Sequence, residues 1–231
     1  MRRGRIQLGT VVGVVVVLVL FGSGGYAFWK EVQRQLPDAN EFEQLVRTRY
    51  GQSRTTENEA KEKPTVDDDP ALGPEDALVT IIAFEDFECP YSGQVWRTEK
   101  QIMQEFEGQV KFVYRDFPIS SLHANAVEAA EAAQCANDQG MFWDMHDLLF
   151  IYQKNLSSDI IMEAARSLDL DMTTFTECMD SGLHSAEVMA DYQDAVNAGV
   201  SGTPTYFFNG IRVEGNLPIE VFRTAINYFL E

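Results

Sequence analysis

The stretch "FECPYS" contains the residues of this sequence best suited to chemistry. Cys89 ends a largely apolar run and is followed at once by Pro90, Tyr91 and Ser92. Proline suits the first helical position, where no amide hydrogen is needed, so the pattern predicts a strand-to-helix junction with Cys89 as the N-cap. Unpaired N–H groups in the first turn and the helix dipole favour a thiolate there. We expect Cys89 to be a nucleophile; the alternative is an inert buried cysteine.

The neighbours of Cys89 modify this expectation. Glu85, Asp86 and Glu88 oppose a thiolate by charge, although strand alternation directs some of them away from the sulfur. Ser92, whose hydroxyl can donate to that sulfur, stands where a second cysteine would complete a C-x-x-C motif. A second thiol would attack the mixed disulfide and release the product. With serine in its place, Cys89 can attack a disulfide but needs an outside thiol to resolve the adduct.

Hydrophobic patterning predicts the elements that position Cys89. The continuous apolar run at residues 78–85 predicts a buried strand, residues 91–108 predict a helix, and residues 110–117 predict a second strand. A strand, a helix and a strand in this order imply a βαβ unit with parallel pairing.

Turn signals organise the rest of the chain. Residues 123–199 have a helical pattern with several breaks, and Asn209-Gly210 is a two-residue turn signal between β-rich runs. An amphipathic helix with Pro218 near its start closes the chain. The predicted fold is an α/β mixed sheet flanked by helices, with a helical insertion in the middle.

The N-terminus predicts export. Three arginines within residues 1–6 precede an uncharged run, which favours a cytoplasmic N-terminus and a single transmembrane anchor over residues 7–29. The alternative is a cleaved signal peptide, with Gly25 and Ala27 as the small residues before the cut. Both interpretations place the remaining chain outside the cytoplasm, in the periplasm or the extracellular space.

The segment after the anchor has a different composition. Residues 30–75 contain a short helical pattern followed by a polar, charged and proline-bearing stretch, so we predict a juxtamembrane helix and a flexible linker. The globular domain is expected over residues 76–231, with the helical insertion at about residues 120–199.

Charge and histidine placement limit the function classes. The formal net charge of −18 argues against nucleic acid, whose binding depends on Lys and Arg at phosphates. His123 and His146 lack metal-ligand spacing with each other or with the cysteines, so we expect no zinc site, and we expect no cofactor.

Three stretches in this order carry a family resemblance: "DDDPALGPEDALVTIIAFEDFECPYS", "YRDFPISSLHANAVEAAEAAQCANDQGMFWDMHDLLF" and "GVSGTPTYFFNG". Over about residues 66–231 the chain resembles the DsbA-like thiol–disulfide oxidoreductases of bacterial envelopes. The resemblance implies a thioredoxin fold with a helical insertion. The family pattern has a second cysteine where Ser92 stands, and often an acidic residue where this chain has Ala83.

The resemblance also implies roles for residues far from Cys89. Pro204 would be the cis-proline that faces the active-site cysteine, and Thr203 would offer backbone groups to an extended substrate. Without the resemblance, Pro204 is an ordinary loop proline. Cys135 and Cys178, in an exported domain, either pair structurally, remain free and buried, or exchange with Cys89; relatives with a second disulfide favour structural pairing.

The combined expectation is a membrane-tethered monothiol thiol–disulfide oxidoreductase or isomerase that forms mixed disulfides through Cys89. Its expected partners are exported proteins with thiols or disulfides, an external thiol or reductase, and the membrane through the N-terminal helix. The alternative is a non-catalytic binding module or chaperone that uses the same groove to hold extended polypeptides.

Overall fold

The computed structural model describes Gln44, residues 63–66 and residues 69–231. The expected membrane anchor at residues 7–29, and most of the segment assigned to the linker, lie outside these residues. Within the described part of the chain, no helix combines the length and the apolar character needed to cross a bilayer.

A mixed sheet forms the centre of the domain. The described residues contain five strands, in the order β1-β3-β2-β4-β5: β1 (Ala71–Leu72), β2 (Val79–Glu85), β3 (Val110–Asp116), β4 (Thr205–Phe208) and β5 (Ile211–Glu214). β2 and β3 pair in parallel, as predicted, whereas the other neighbours pair antiparallel. β2 is the central strand and is buried along nearly its whole length, which explains its continuous apolar run.

Helices connect and cover the strands: α1 (Ser92–Glu105), α2 (Ala126–Asn137), α3 (Phe142–Tyr152), α4 (Ser158–Ser167), α5 (Met172–Ser181), α6 (Ser185–Asn197) and α7 (Ile219–Leu230). A 3₁₀ turn at Gln153–Asn155 follows α3. Helices α2 to α6 form the insertion between β3 and β4, within the range expected for it. Asn209 and Gly210 both have positive φ, as the predicted hairpin turn between β4 and β5 requires.

Two boundaries differ from the sequence-based expectation. β1 lies within residues 30–75, the segment assigned to the linker, and its residues Ala71 and Leu72 pair with β3. A strand of two residues is too short to show alternation in the sequence. Cys89 was expected to be the N-cap of α1, but the regular part of the helix begins at Ser92, with Tyr91 as N-cap. The Gly93 N–H nevertheless donates to the Cys89 oxygen at 3.0 Å.

Three apolar clusters hold these elements together. One lies between one sheet face and helices α1 and α7, and a second lies on the opposite face beside α6. The third fills the helical insertion and also contains Phe87, Trp96 and Tyr114. Because these three residues come from the loop after β2, from α1 and from β3, the insertion packs directly against the loop that carries Cys89.

Asp116, the last residue of β3, is a buried carboxyl within a group of charged side chains. One of its oxygens accepts a hydrogen bond from Gln134 Nε2 at 2.8 Å, and its backbone N–H donates to Asp191 Oδ2 at 2.9 Å. Asp191 also accepts from Arg115 Nε. Burial, followed by the negative charge of Asp191, raises the pKa of Asp116 to about 8.

We predict that Asp116→Asn makes the stability of the protein less dependent on pH. In the unfolded chain Asp116 ionises above about pH 3.8, whereas in the folded chain it keeps its proton up to about pH 8. Its contribution to stability is therefore complete below about pH 3.8 and is lost as the pH rises towards 8. Asparagine removes this loss, so the decline of the unfolding free energy with pH should be shallower by up to ~1.4 kcal/mol per pH unit.

Urea unfolding across this pH range measures the effect. The exposed Asp180, changed to Asn, is the matched control and should keep the slope of the parent protein. An Asp116→Asn slope equal to that of the control would show that Asp116 is ionised in the folded chain.

Candidate active site

Cys89 lies in the loop between β2 and α1. Its side chain is buried, with 5% of its surface exposed, and its Sγ donates a hydrogen bond to the backbone oxygen of Thr203 at 3.3 Å. Its backbone N–H donates to the Asp86 oxygen at 3.0 Å, which closes a tight turn. Tyr91, two residues further on, is 60% exposed. The thiol is thus almost fully buried, two residues before an exposed tyrosine.

Strand pairing explains why Cys89 and Thr203 meet although they are 114 positions apart. β2 ends shortly before Cys89, and β4 begins with Thr205 directly after the Thr203–Pro204 peptide bond, which is cis. β2 and β4 are antiparallel neighbours, with Phe84 opposite Thr205. The end of one strand and the start of the other therefore share one edge of the sheet, where the structure brings Cys89, Thr203 and Pro204 together.

Ser92 is the first residue of α1 and is fully buried. Its hydroxyl was expected to donate to the Cys89 sulfur, but Ser92 Oγ has no hydrogen-bond partner among the described residues. The buried position that a resolving thiol would occupy therefore contains a hydroxyl that does not contact the sulfur through a hydrogen bond.

Gln153, in the 3₁₀ turn after α3, is a functional candidate that the sequence analysis missed. Its Nε2 donates to the backbone oxygens of Phe87 at 2.7 Å and of Cys89 at 2.9 Å. A Cβ at Gly93 would lie 2.0 Å from Gln153 Oε1, so only glycine leaves room for this side chain. Gln153 therefore connects the helical insertion to the Cys89 loop. In the sequence it is a single polar residue at the end of a helical pattern, and no feature of the pattern predicts this contact.

Two buried carboxyl groups, those of Glu85 on β2 and Glu99 on α1, lie near Cys89. The Tyr206 hydroxyl donates to Glu99 Oε1 at 2.5 Å and lies 3.5 Å from Glu85 Oε1. Burial, followed by the charge of Glu99 and that of Cys89, raises the pKa of Glu85 well above its usual value, and burial also raises the pKa of Glu99. The pair therefore keeps a proton at pH values where exposed glutamates have lost theirs.

This pair changes the interpretation of Ala83. The sequence analysis treated Glu85 only as a charge that opposes a thiolate, and took Ala83 as the absence of a buried acid. Because side chains alternate along a strand, Glu85 points to the same face as Ala83, two residues nearer to Cys89. Glu99 shares the buried face of α1 with Val95 and Ile102, and this helical spacing is the signal that could have identified it.

The other acidic residues of the loop bind polar groups instead of facing the sulfur. Asp86 accepts hydrogen bonds from the backbone N–H of Glu88 and from His123 Nδ1, at 2.8 and 2.7 Å. Glu88 accepts from the side chain and the backbone of Asn125. His146 is buried among the aromatic rings of Phe87, Tyr114 and Phe150.

A disulfide joins Cys135 on α2 to Cys178 on α5, with a Cα–Cα distance of 5.9 Å. Both residues belong to the apolar cluster of the insertion. Cys89 is the free cysteine. The structure therefore separates one thiol at the sheet edge from a cross-link within the inserted helices.

Known proteins resemble this chain in sequence and in fold. The thioredoxin family profile matches residues 65–228, which is most of the chain. The chain belongs to the thioredoxin family.

Two solved structures illustrate the relation. The oxidised BdbD of Bacillus subtilis is 25% identical, covers 73% of this chain and 96% of its own, and has a TM-score of 0.64. The thiol-disulfide exchange protein alpha-DsbA2 of Wolbachia pipientis is 18% identical, covers 82% of this chain and 96% of its own, and has a TM-score of 0.62. At 18% identity the second likeness concerns the fold alone.

A curated relative places the same segment in a longer protein. Na(+)/H(+) antiporter NhaA 1 of Salinispora arenicola is 39% identical over 160 residues, which are 69% of this chain and 24% of the antiporter. This chain spans about a quarter of the length of the curated relatives that it matches.

We predict that Gln153→Ala loosens the Cys89 loop. The Phe87 oxygen loses the Gln153 amide as its donor, and the Cys89 oxygen keeps only the Gly93 N–H. The unfolding free energy should therefore fall by about 1–3 kcal/mol. Alkylation of Cys89 by iodoacetamide should become faster as the loop opens. Gln153→Glu keeps the shape but lacks the donating amide, and should act in the same direction.

Gln139→Ala is the matched control, because Gln139 exchanges hydrogen bonds with the backbone of Asp171 inside the insertion. It should leave the alkylation rate of Cys89 unchanged. If the Gln153 variants alkylate at the rate of the parent protein, the positioning role of Gln153 is wrong.

Proposed function

We propose that this domain catalyses thiol–disulfide exchange as a monothiol oxidoreductase or isomerase, with Cys89 as its single nucleophile. The observation that carries the proposal is the Cys89 sulfur, 3.3 Å from the Thr203 oxygen beside Pro204, with Ser92 in place of a second thiol. Pro90 and Tyr91 complete the motif and form the turn that leads into α1.

The chemistry proceeds in two exchanges. In the first, the Cys89 thiolate attacks one sulfur of a substrate disulfide, so that a Cys89–substrate disulfide forms and the other substrate sulfur leaves as a thiolate and takes up a proton. In the second, an external or substrate thiol attacks the adduct, forms a new disulfide with the substrate sulfur and releases Cys89. The domain itself is neither oxidised nor reduced over the cycle.

Attack requires that the Cys89 thiol lose its proton, which it donates to the Thr203 oxygen in this structure. The Glu85–Glu99 pair is a candidate acceptor, since the charge of Cys89 contributes to the raised pKa of Glu85. Once the sulfur is bound to a substrate, the Thr203 oxygen is free to accept a backbone N–H. An extended polypeptide could then pair with this edge, as in strand addition.

The proposed location is the outer side of a bacterial membrane, with residues 7–29 as the anchor and the segment between residue 30 and β1 as the tether. The arginines before the apolar run support this orientation. The matching segment of the curated relatives belongs to antiporters, which supports a position at a membrane. Exported proteins with thiols or disulfides would be the substrates, and secretion after signal cleavage is the alternative.

The burial of Cys89 favours a second candidate function. A thiol with 5% exposure is poorly placed for attack, and the same groove could bind extended polypeptides without exchange. Reactivity of the thiol therefore decides between an enzyme and a binding module.

We predict that the natural protein forms a long-lived mixed disulfide with an oxidised model peptide, and that Ser92→Cys shortens its lifetime by about tenfold or more. The new thiol provides an internal route of release, whereas the natural adduct waits for an external thiol. Acid quenching followed by a non-reducing gel measures the adduct.

Cys89→Ala is the control and should form no adduct. In the natural protein, release should accelerate with the concentration of an added thiol. Absence of an adduct, together with slow alkylation of Cys89 and retained binding of the peptide, would refute the enzyme and favour the binding module.

We predict that alkaline phosphatase fused after Glu231 is active in a bacterial host, because the arginines keep the N-terminus inside. A matched fusion to a cytoplasmic reporter should be inactive. The reverse pattern would show that the domain stays in the cytoplasm.

A further inference from the structure

His184 lies beside the Cys135–Cys178 disulfide. A ring nitrogen of His184 and the two sulfur atoms all lie within 4.8 Å of one another. The three residues come from separate places in the insertion: Cys135 from α2, Cys178 from α5, and His184 from the turn that precedes α6. Two cysteines and one histidine are a donor set that zinc prefers.

Asp138 supplies a fourth donor at the same place. Its Oδ2 lies 2.9 Å from His184 Nε2 and 3.9 Å from Cys178 Sγ. Around a tetrahedral zinc ion with bonds of about 2.0–2.3 Å, neighbouring donor atoms lie roughly 3.3–3.8 Å apart. The two distances from Asp138 Oδ2, 2.9 and 3.9 Å, lie on either side of this range, so movements of less than 1 Å would bring both to the spacing of a tetrahedral set.

The histidine is already oriented by an outer carboxylate. Glu187 Oε2, in the first turn of α6, lies 3.1 Å from His184 Nδ1. A carboxylate that holds one ring nitrogen of a histidine, and leaves the other free to bind the ion, is the usual outer partner in zinc sites. His184 Nε2 therefore faces Asp138, and one of the two ring nitrogens lies within 4.8 Å of both sulfurs.

We propose that Cys135, Cys178, His184 and Asp138 form a Zn²⁺ site when the disulfide is reduced. A two-electron reductant, such as a dithiol that becomes a disulfide, converts the S–S bond into two thiols with two electrons and two protons. Zn²⁺ then displaces both thiol protons, which pass to solvent, and neutral His184 and ionised Asp138 complete the set. Reoxidation by a disulfide removes the two thiolates and releases the ion.

This site has a structural consequence that does not depend on Cys89. In the oxidised protein, the disulfide links α2 to α5; in the reduced protein, the ion would link the same two helices. The insertion packs against the Cys89 loop, so either cross-link supports the site described above. Zinc bound to the folded state alone would stabilise the reduced protein by mass action.

The test uses the full chain with Cys89→Ala, so that Cys135 and Cys178 are the remaining cysteines. After reduction by a phosphine, which competes weakly for the metal, Co²⁺ is titrated as a spectroscopic probe. We expect one equivalent to bind with thiolate charge-transfer absorption and the intense visible bands of tetrahedral cobalt, and added Zn²⁺ to displace it. The oxidised protein should show neither signal.

Variants separate a built site from loose thiol binding. His184→Ala and the milder His184→Gln should abolish the tetrahedral spectrum, and Asp138→Ala should weaken cobalt binding by about tenfold or more. His123→Ala is the matched control and should bind as the parent does. Zn²⁺ should raise the melting temperature of the reduced protein and leave that of the oxidised protein unchanged.

Each remaining outcome contradicts the proposal. The first two are that the reduced protein binds no Co²⁺, or that the His184 variants bind Co²⁺ as the parent does. The others are that the oxidised protein binds Co²⁺ equally well, or that the chain that binds Co²⁺ is unfolded by circular dichroism. None of them bears on mixed-disulfide formation by Cys89, so failure of this site and failure of the proposed exchange activity are distinguishable.

Discussion

The antiparallel pairing of β2 with β4 brings the two halves of the candidate active site together. β2 leads to Cys89, and β4 begins just after Thr203 and Pro204, so their shared edge determines what faces the sulfur. The hydrogen bond from Cys89 to the Thr203 oxygen is the local result of this pairing. The Cys89 loop, the start of α1 and the insertion are all arranged around that edge.

Buried polar groups around this edge restrict the chemistry. Burial raises the pKa values of Glu85 and Glu99, and the charge of Glu99 raises that of Glu85 further. A dithiol enzyme would use a second thiol where this chain buries the hydroxyl of Ser92. In the proposed mechanism, this site moves a proton and attacks a disulfide, and release of the adduct depends on a thiol from outside.

The helical insertion contributes to the site through its packing and through Gln153. Phe87 of the loop belongs to the apolar cluster of the insertion, and Gln153 binds two backbone oxygens of the same loop. The link between α2 and α5, at Cys135 and Cys178, lies within that cluster. A change at this link would therefore reach Cys89 through the packing of its loop.

The sequence by itself determined the features that depend on local pattern: the strand before Cys89, the helix breaks and the Asn209-Gly210 hairpin. These follow from the period of apolar residues and from residues that permit positive φ. Only the tertiary structure decided which distant groups meet. The Glu85–Glu99 pair, the support from Gln153 and the approach of His184 to Cys135 join separate elements, and no local period encodes such a contact. Burial then raised the pKa values of the carboxyl groups, because desolvation depends on the whole fold.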